Sequence, residues 1–287
     1  MVWPVLGADH PTSAPLKKIR ANGVELHYID QGKGVPVVFV HGGLVDYRRW
    51  FDQVEPFAKK YRVIAYSRRY NFPNKNARLD PAYSAAVDAE DLAAFIKKLK
   101  LGPVHVIGES YGALAALFLA VRHPDLVRSL VLAEAPMLGW LNASPEGKVE
   151  FDQFQERLWQ PVGRAFERGD NHKVLSVVAA YFLGGAKVDD IPPDLRQVVE
   201  ANLREWQALS KSADAFPSLR REEVAVIRVP TLLLEGANTL PLHRLLDAQS
   251  AALLPNHRKV IIENATHEMW DEQPAVCREA TLAFLAR

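Results

Sequence analysis

Gly108-Glu109-Ser110-Tyr111-Gly112 reads Gly-x-Ser-x-Gly, a pattern expected by chance in roughly 0.03 copies for a chain of this composition. An apolar run, Val104 to Ile107, precedes it, and a helical run, Ala113 to Ala120, follows. Strand, sharp turn and helix are the setting in which a serine hydroxyl is held clear of a sheet as a nucleophile. Glycine two residues to either side of Ser110 leaves room for that turn and tolerates its backbone angles. A serine hydroxyl is a weak nucleophile at neutral pH. It needs a base to take its proton and a third group to hold that base in one tautomer. His267 fits the base: it follows the last apolar run, in Asn264-Ala265-Thr266-His267, so it and Ser110 both stand just beyond strand ends. The other histidines are placed less well. His10 is in the N-terminal stretch; His27, His105 and His257 lie in or beside strands; His123, His172 and His243 fall in helical segments.

These side chains need elements to carry them. Val24 to Ile29 reads as a strand closing on a glycine-containing turn. Val35 to Val40 is a near-continuous apolar run, the mark of a strand buried on both faces, and it ends at His41-Gly42-Gly43. A helix is predicted over 47–59, a strand over 62–66 and a helix over 82–99 with Leu92, Phe95, Ile96 and Leu99 on one face. The strand 103–107 leads to Ser110, and 126–133 gives another strand ending at Glu134. The alternation then stops. Between Met137 and Arg221 the chain carries helical periodicity only, and after it come strand 229–234, helix 240–253, strand 259–262 and a last helix 273–286. Repeated strand-helix units with short loops predict an α/β fold: a mostly parallel sheet with helices on both faces. The helical block is expected to roof the carboxyl ends of the strands, where open α/β sheets bind ligands. The expected division is a core of 1–136 and 222–287 with a helical cap of 137–221.

The chain resembles the α/β-hydrolases with a helical cap after the sixth strand, from about Lys18 onward. The resemblance rests on His41-Gly42-Gly43 with Trp50, on Gly108 to Gly112, and on Thr266-His267 followed by Glu272 and Pro274. It implies a chain order of Ser, acid, His. Many members place an aspartate after the strand corresponding to 231–234, and here Thr239 stands at that place. Asp247 lies deeper in the following helix, out of reach. Some members, haloalkane dehalogenases among them, place the acid after the strand before the cap, which is where Glu134 stands. A carboxylate closing an apolar strand has little packing reason to be there, so Glu134 is the expected acid, with Glu235 as the alternative. The resemblance implies an oxyanion hole from the backbone N–H groups of Tyr111 and Gly43, with Leu44 as a possible substitute for Gly43. Tyr111 opens a helix, where free N–H groups favour negative charge. His41 is expected to shape that loop. Arg69 falls where relatives carry an arginine, with a structural role as the simpler reading. Cap aromatics such as Phe154, Trp159, Tyr181 and Trp206 are expected partly to pack and partly to line an apolar pocket.

Length and composition agree with a soluble globular protein. There are 287 residues, 48% hydrophobic and 24% charged, and the net charge is +1. That balance gives no reason to expect a nucleic acid or an anionic membrane as partner. The one cysteine, Cys277, excludes an internal disulfide and fits a reducing compartment. The stretch from Met1 to Gly7 lacks the basic and long apolar regions of a signal peptide, so a cytoplasmic location is expected. No metal cluster, Walker loop or dinucleotide fingerprint is evident, so neither a metal nor a cofactor is expected.

The function expected is a serine hydrolase cleaving a small-to-medium carboxylic ester or lactone through an acyl-enzyme. Related folds reuse such a site for carbon–carbon bond hydrolysis, perhydrolysis and lyase chemistry. Others serve as ligand-binding sensors with a residual hydrolase site. Dehalogenase and epoxide hydrolase activities are disfavoured, because both resemblances demand an aspartate where Ser110 stands.

Overall fold

The computed structural model describes residues 14–287; the N-terminal stretch read above for a leader, with His10, lies outside the described residues. Eight strands form one sheet in the order β1-β2-β4-β3-β5-β6-β7-β8. They are β1 (Lys17–Ala21), β2 (Val24–Gly32), β3 (Pro36–Val40), β4 (Arg62–Tyr66), β5 (Val104–Glu109), β6 (Val127–Ala133), β7 (Thr231–Gly236) and β8 (His257–Ile262). β2 pairs antiparallel with β1 and β4, and every other pairing is parallel. The helices are α1 (Phe51–Ala58), α2 (Ala85–Lys98), α3 (Tyr111–Arg122), α4 (Pro145–Phe154), α5 (Gln160–Glu167), α6 (Asn171–Phe182), α7 (Pro193–Ser210), α8 (Arg221–Ala225), α9 (Pro241–Leu253), α10 (Met269–Glu272) and α11 (Pro274–Leu285).

The period-2 geometry of the strands sorts their side chains into two cores. Val38, Val40, Ile64, Tyr66 and Val106 pack with α2, α3 and α9 on one face. Val37, Phe39, Val63, Ala65 and Ile107 pack with Trp50, α1 and α11 on the other. Burial on both faces is why β3 and β5 read as unbroken apolar runs rather than as alternating ones. β1 is the strand with no sequence signal: Lys-Lys-Ile-Arg-Ala is an edge strand, largely exposed and polar.

All of the chain between β6 and β7 is helical or irregular. α4 continues through one π-helical turn, Gln155–Trp159, into α5. These helices join the α2/α3 core through Phe154, Leu158 and Val162, and α7 joins it through Leu203. α7 also reaches the loops at the carboxyl ends of β3 and β4. Asn202 Nδ2 donates to Asp46 (2.7 Å), and its Oδ1 accepts from the Phe72 N–H (2.8 Å). Among the described residues no helix is long and apolar enough to cross a membrane.

Candidate active site

Ser110 stands between β5 and α3 with φ 50° and ψ −121°. This is a strained conformation for a residue with a side chain, of the kind found at functional sites. The flanking glycines are sterically required. A Cβ on Gly108 would lie 2.7 Å from Ala113 Cα, and one on Gly112 would strike the Val40 carbonyl oxygen. The turn therefore closes only with glycine at both positions.

Glu134 follows β6, fully buried and with φ 53°. Its Oε2 meets His267 Nδ1 at 2.5 Å. The carboxylate is itself held from β7 and the loop beyond. Oε1 accepts from the Gly236 N–H (2.9 Å), and Oε2 also accepts from Thr239 Oγ1 (2.7 Å). Thr239, standing where many relatives have the acid, supports the glutamate instead. Burial works against charge on His267, but the hydrogen bond and charge of Glu134 override it, and the imidazole pKa stands at about 8 rather than 6.5. Burial raises the Glu134 pKa, while His267 pulls it back to a net value below the ordinary glutamate range. Glu235 is engaged elsewhere, paired with Lys259 at 2.6 Å. Asp247 makes no hydrogen bond to His267, and burial drives its pKa up. Ser110 and His267 line the same cavity without a hydrogen bond between them.

The loop after β3 supplies the opposite wall. Leu44 has φ 61°, and its N–H donates to Glu205 Oε2 of α7 at 2.9 Å. That N–H is taken, whereas the N–H groups of Gly43 and Tyr111 have no protein partner among the described residues. Beneath the loop, His41 Nε2 accepts from the Arg68 N–H (3.0 Å), and its Nδ1 donates to the Gly42 carbonyl (2.8 Å). Arg68 is fully buried. It donates to the carbonyls of His41 and Gly42 and pairs with Asp88 (2.6 Å) and Glu205. Arg69, the arginine singled out in the sequence, instead makes a two-pronged pair with Asp91, both bonds 2.7 Å.

A cavity of about 140 Å³ opens over Ser110, mostly walled by apolar side chains such as Leu138, Phe154, Val178, Phe182 and Trp206. One edge is charged: Arg49 is paired with Glu109 (Nε to Oε2, 2.8 Å), Asp271 and Glu268. Burial raises Asp271 to about 7 despite that guanidinium. Against His267 lies His243 of α9, its ring centroid 4.1 Å away and its plane within 7°. The sequence reading set His243 aside. Its only signal was its spacing from Asp247 and Ser250, which marks one helix face and usually denotes a solvated stripe. Glu134, His243 and His267 each bring one ligand atom within 4.8 Å of the others. The two imidazoles are parallel, however, so their in-plane lone pairs run side by side instead of converging on one ion.

Residues 35–274 match a family model described as the alpha/beta hydrolase fold. The chain is 27% identical to a 2-hydroxy-6-oxo-6-(2'-aminophenyl)hexa-2,4-dienoic acid hydrolase of Metapseudomonas resinovorans, over 94% of this chain and 90% of that one. Among solved structures, the enol-lactonase of Burkholderia xenovorans superposes with a TM-score of 0.75 at 20% identity, covering 94% of this chain and all (100%) of that one. A carboxylesterase of Bacillus subtilis superposes at 0.74 with 19% identity, covering 96% and 92%. At such identities the two superpositions establish the shared fold alone.

Proposed function

The chain belongs to the α/β-hydrolase fold family, and from that premise we propose that it is a serine hydrolase of small-to-medium carboxylic esters or lactones. The observation that carries this reading is a serine on a strained strand-to-helix turn, sharing a cavity with an imidazole tied at 2.5 Å to a buried carboxylate.

In the proposed mechanism Ser110 Oγ attacks the substrate carbonyl and His267 takes its proton on Nε2. Such catalytic hydrogen bonds commonly tighten only once substrate is bound. Glu134 keeps Nδ1 protonated and stabilises the imidazolium. The tetrahedral oxygen is received by the N–H groups of Tyr111 and Gly43; one such donor typically accounts for about 10²–10³ in rate. His267 then protonates the leaving alcohol, and water activated by the same imidazole releases the acid from Ser110. Residues 137–221 act as a cap over this cavity, on a core of 1–136 and 222–287.

The charged edge favours a neutral substrate over a carboxylate-bearing one. Apart from His267, which must be neutral to act as base, Arg49 is the cation among the described residues lining the cavity, and three carboxyl groups already surround it. A substrate acid would meet negative charge there with no free partner, which costs binding energy in a poorly solvated site. This supports cleavage of a neutral ester or lactone over hydrolysis of a dienoic acid, the substrate named for the Metapseudomonas relative. The buried space matches a benzene-sized group, since a dry cavity of about 150 Å³ holds benzene.

Initial rates on p-nitrophenyl esters of increasing acyl length, with Ser110→Ala alongside, test the proposal. Turnover by the wild type on short acyl chains, and none by the variant, is the expected result. No ester turnover together with cleavage of a dienoic acid would overturn it.

A further inference from the structure

Ser110 and His267 follow strands that do not touch. β5 and β8 have β6 and β7 between them, so at the usual inter-strand spacing their ends stand roughly 14 Å apart. The sheet alone does not bring the two side chains to one cavity; the segments beyond it must. Glu134 ties His267 to the end of β6. Among the described residues, no hydrogen bond or ion pair joins residues 108–112 directly to residues 264–272.

One side chain bonds to both segments. Arg49 Nε donates to Glu109 Oε2 at 2.8 Å, and its Nη2 donates to Glu109 Oε1. The same guanidinium meets Glu268 at 3.5 Å and pairs with Asp271. Glu109 immediately precedes Ser110, Glu268 immediately follows His267, and Asp271 lies just beyond in α10. The fork is fixed at its root. Arg49 belongs to the 3₁₀ turn Tyr47–Trp50, and Trp50 packs on Phe39 and Trp270 with ring centroids 4.8 and 5.3 Å away.

Charge balance does not account for this arrangement. One carboxylate would neutralise Arg49, and three carboxyl groups surround it. Burial raises the pKa of Asp271 to about 7, and that of Glu268 as well, against the pull of the guanidinium. Buried ion pairs are also a poor source of stability beside apolar packing. What a guanidinium does give is fixed direction: its planar fork holds carboxylates at set angles, where a lysine offers one movable point.

We propose that Arg49 is a positioning residue for the hydrolysis: gripping the residue before Ser110 and the residues after His267, it sets the gap across which the serine proton passes to the imidazole. The clamp rests on the ester- or lactone-hydrolase reading above and adds to it a group that touches neither substrate nor proton.

The test measures kcat and KM on a p-nitrophenyl ester, with urea unfolding alongside, in Glu109→Gln, in Glu268→Gln/Asp271→Asn, and in the triple variant. These keep the side-chain shapes and release the clamp at one end, the other, or both. Rates are taken on the plateau above the acid limb, because loss of Glu268 and Glu109 also lowers the His267 pKa. Either end variant should lower kcat by about 10- to 100-fold with KM changed by less than about threefold, as a small misplacement of reacting groups does. The triple variant should be no slower than the slower end variant, because a clamp released at one end no longer pulls on the other. Arg49→Lys, which keeps the charge and loses the fork, should be as slow as they are. Losses that multiply in the triple variant, or full activity in Arg49→Lys, overturn the clamp. So does unchanged kcat with weakened unfolding stability, which marks a purely stabilising network. If the wild type cleaves no ester, the ester reading fails on its own. The clamp is then read from the rate at which a fluorophosphonate labels Ser110, a step that needs the same serine and base. Labelling slowed about 10- to 100-fold in the end variants supports it; equal rates, or no labelling of the wild type, overturn it.

Discussion

Replacing Glu134 with glutamine removes one charge while leaving nearly the same shape. In the native protein the carboxylate accepts from Gly236, Thr239 and His267 at once. An amide keeps one acceptor oxygen and presents an N–H₂ group where the second stood, so either the Gly236 N–H faces another donor or His267 and Thr239 must turn to accepting, which puts the imidazole in the wrong tautomer. The His267 pKa of about 8, against an ordinary 6.5, corresponds to a net preference for imidazolium of about 2 kcal/mol. Burial opposes that preference, so the contribution of Glu134 exceeds it. Losing it costs at least about 30-fold in rate, and a wrong tautomer extends the loss towards 10⁴-fold. The expected range for kcat is therefore a fall of about 10²–10⁴. The pH profile gives a second readout. His267 must be neutral to act as base, so wild-type kcat/KM should fall as pH drops through about 8. In Glu134→Gln, with only the weaker pull of Glu268 and Glu109 left against burial, the inflection should move down. Stopped-time assays of a p-nitrophenyl ester, read at an isosbestic wavelength, measure both. Near-normal kcat, or an inflection left in place, would falsify the role of Glu134 as the acid.

Two further substitutions probe the oxyanion side. Glu205→Ala should cost roughly 3–5 kcal/mol in urea unfolding, because it breaks a buried ion pair, and should lower kcat more than it raises KM. Glu205→Gln should recover part of both, and a melt equal to wild type would count against the argument. In Gly43→Ala the new Cβ would lie 2.7 Å from Trp206 Nε1, so the loop or the indole must shift; displacement of the loop is expected to lower kcat by about 10²–10³. Adding Trp206→Leu should restore much of that activity; an unaffected Gly43→Ala enzyme would remove this loop from the proposed mechanism.

The parts legible in the sequence were those set by neighbours in the chain. The turn around Ser110 is written in five consecutive residues because its constraints are local: two glycines, a strand before and a helix after. Glu134 could be picked out because a carboxylate ending an apolar strand is itself anomalous. The strands buried on both faces announced themselves as apolar runs, whereas β1, an exposed edge strand of mostly polar residues, did not. What could not be read were pairings made across the fold. The choice between Gly43 and Leu44 turns on Glu205, 161 residues away, and nothing near position 44 encodes it. Arg68 and Arg69 are adjacent and chemically alike; only their different carboxylate partners separate the residue under the loop after β3 from the one beside it. His243 sits in the first turn of α9, and whether that face meets solvent or the His267 imidazole depends on where the helix lands.

The buried knot of Arg68, Glu205 and Asp88 bears on how this enzyme could be re-engineered. Helical roofs on such sheets invite exchange, one protein's lid grafted onto another's base to import a new preference. Here the helical segment between β6 and β7 contributes a carboxylate, Glu205, to the loops beyond β3 and β4. A transplanted segment with a neutral residue at position 205 would strip Arg68 of one of its two counter-charges and leave the Leu44 amide without its acceptor. A successful chimera must therefore carry an acid at that point of its helix, or change Arg68 along with it. Lid and base are in that sense a matched pair, and their histories of substitution should be linked at these positions.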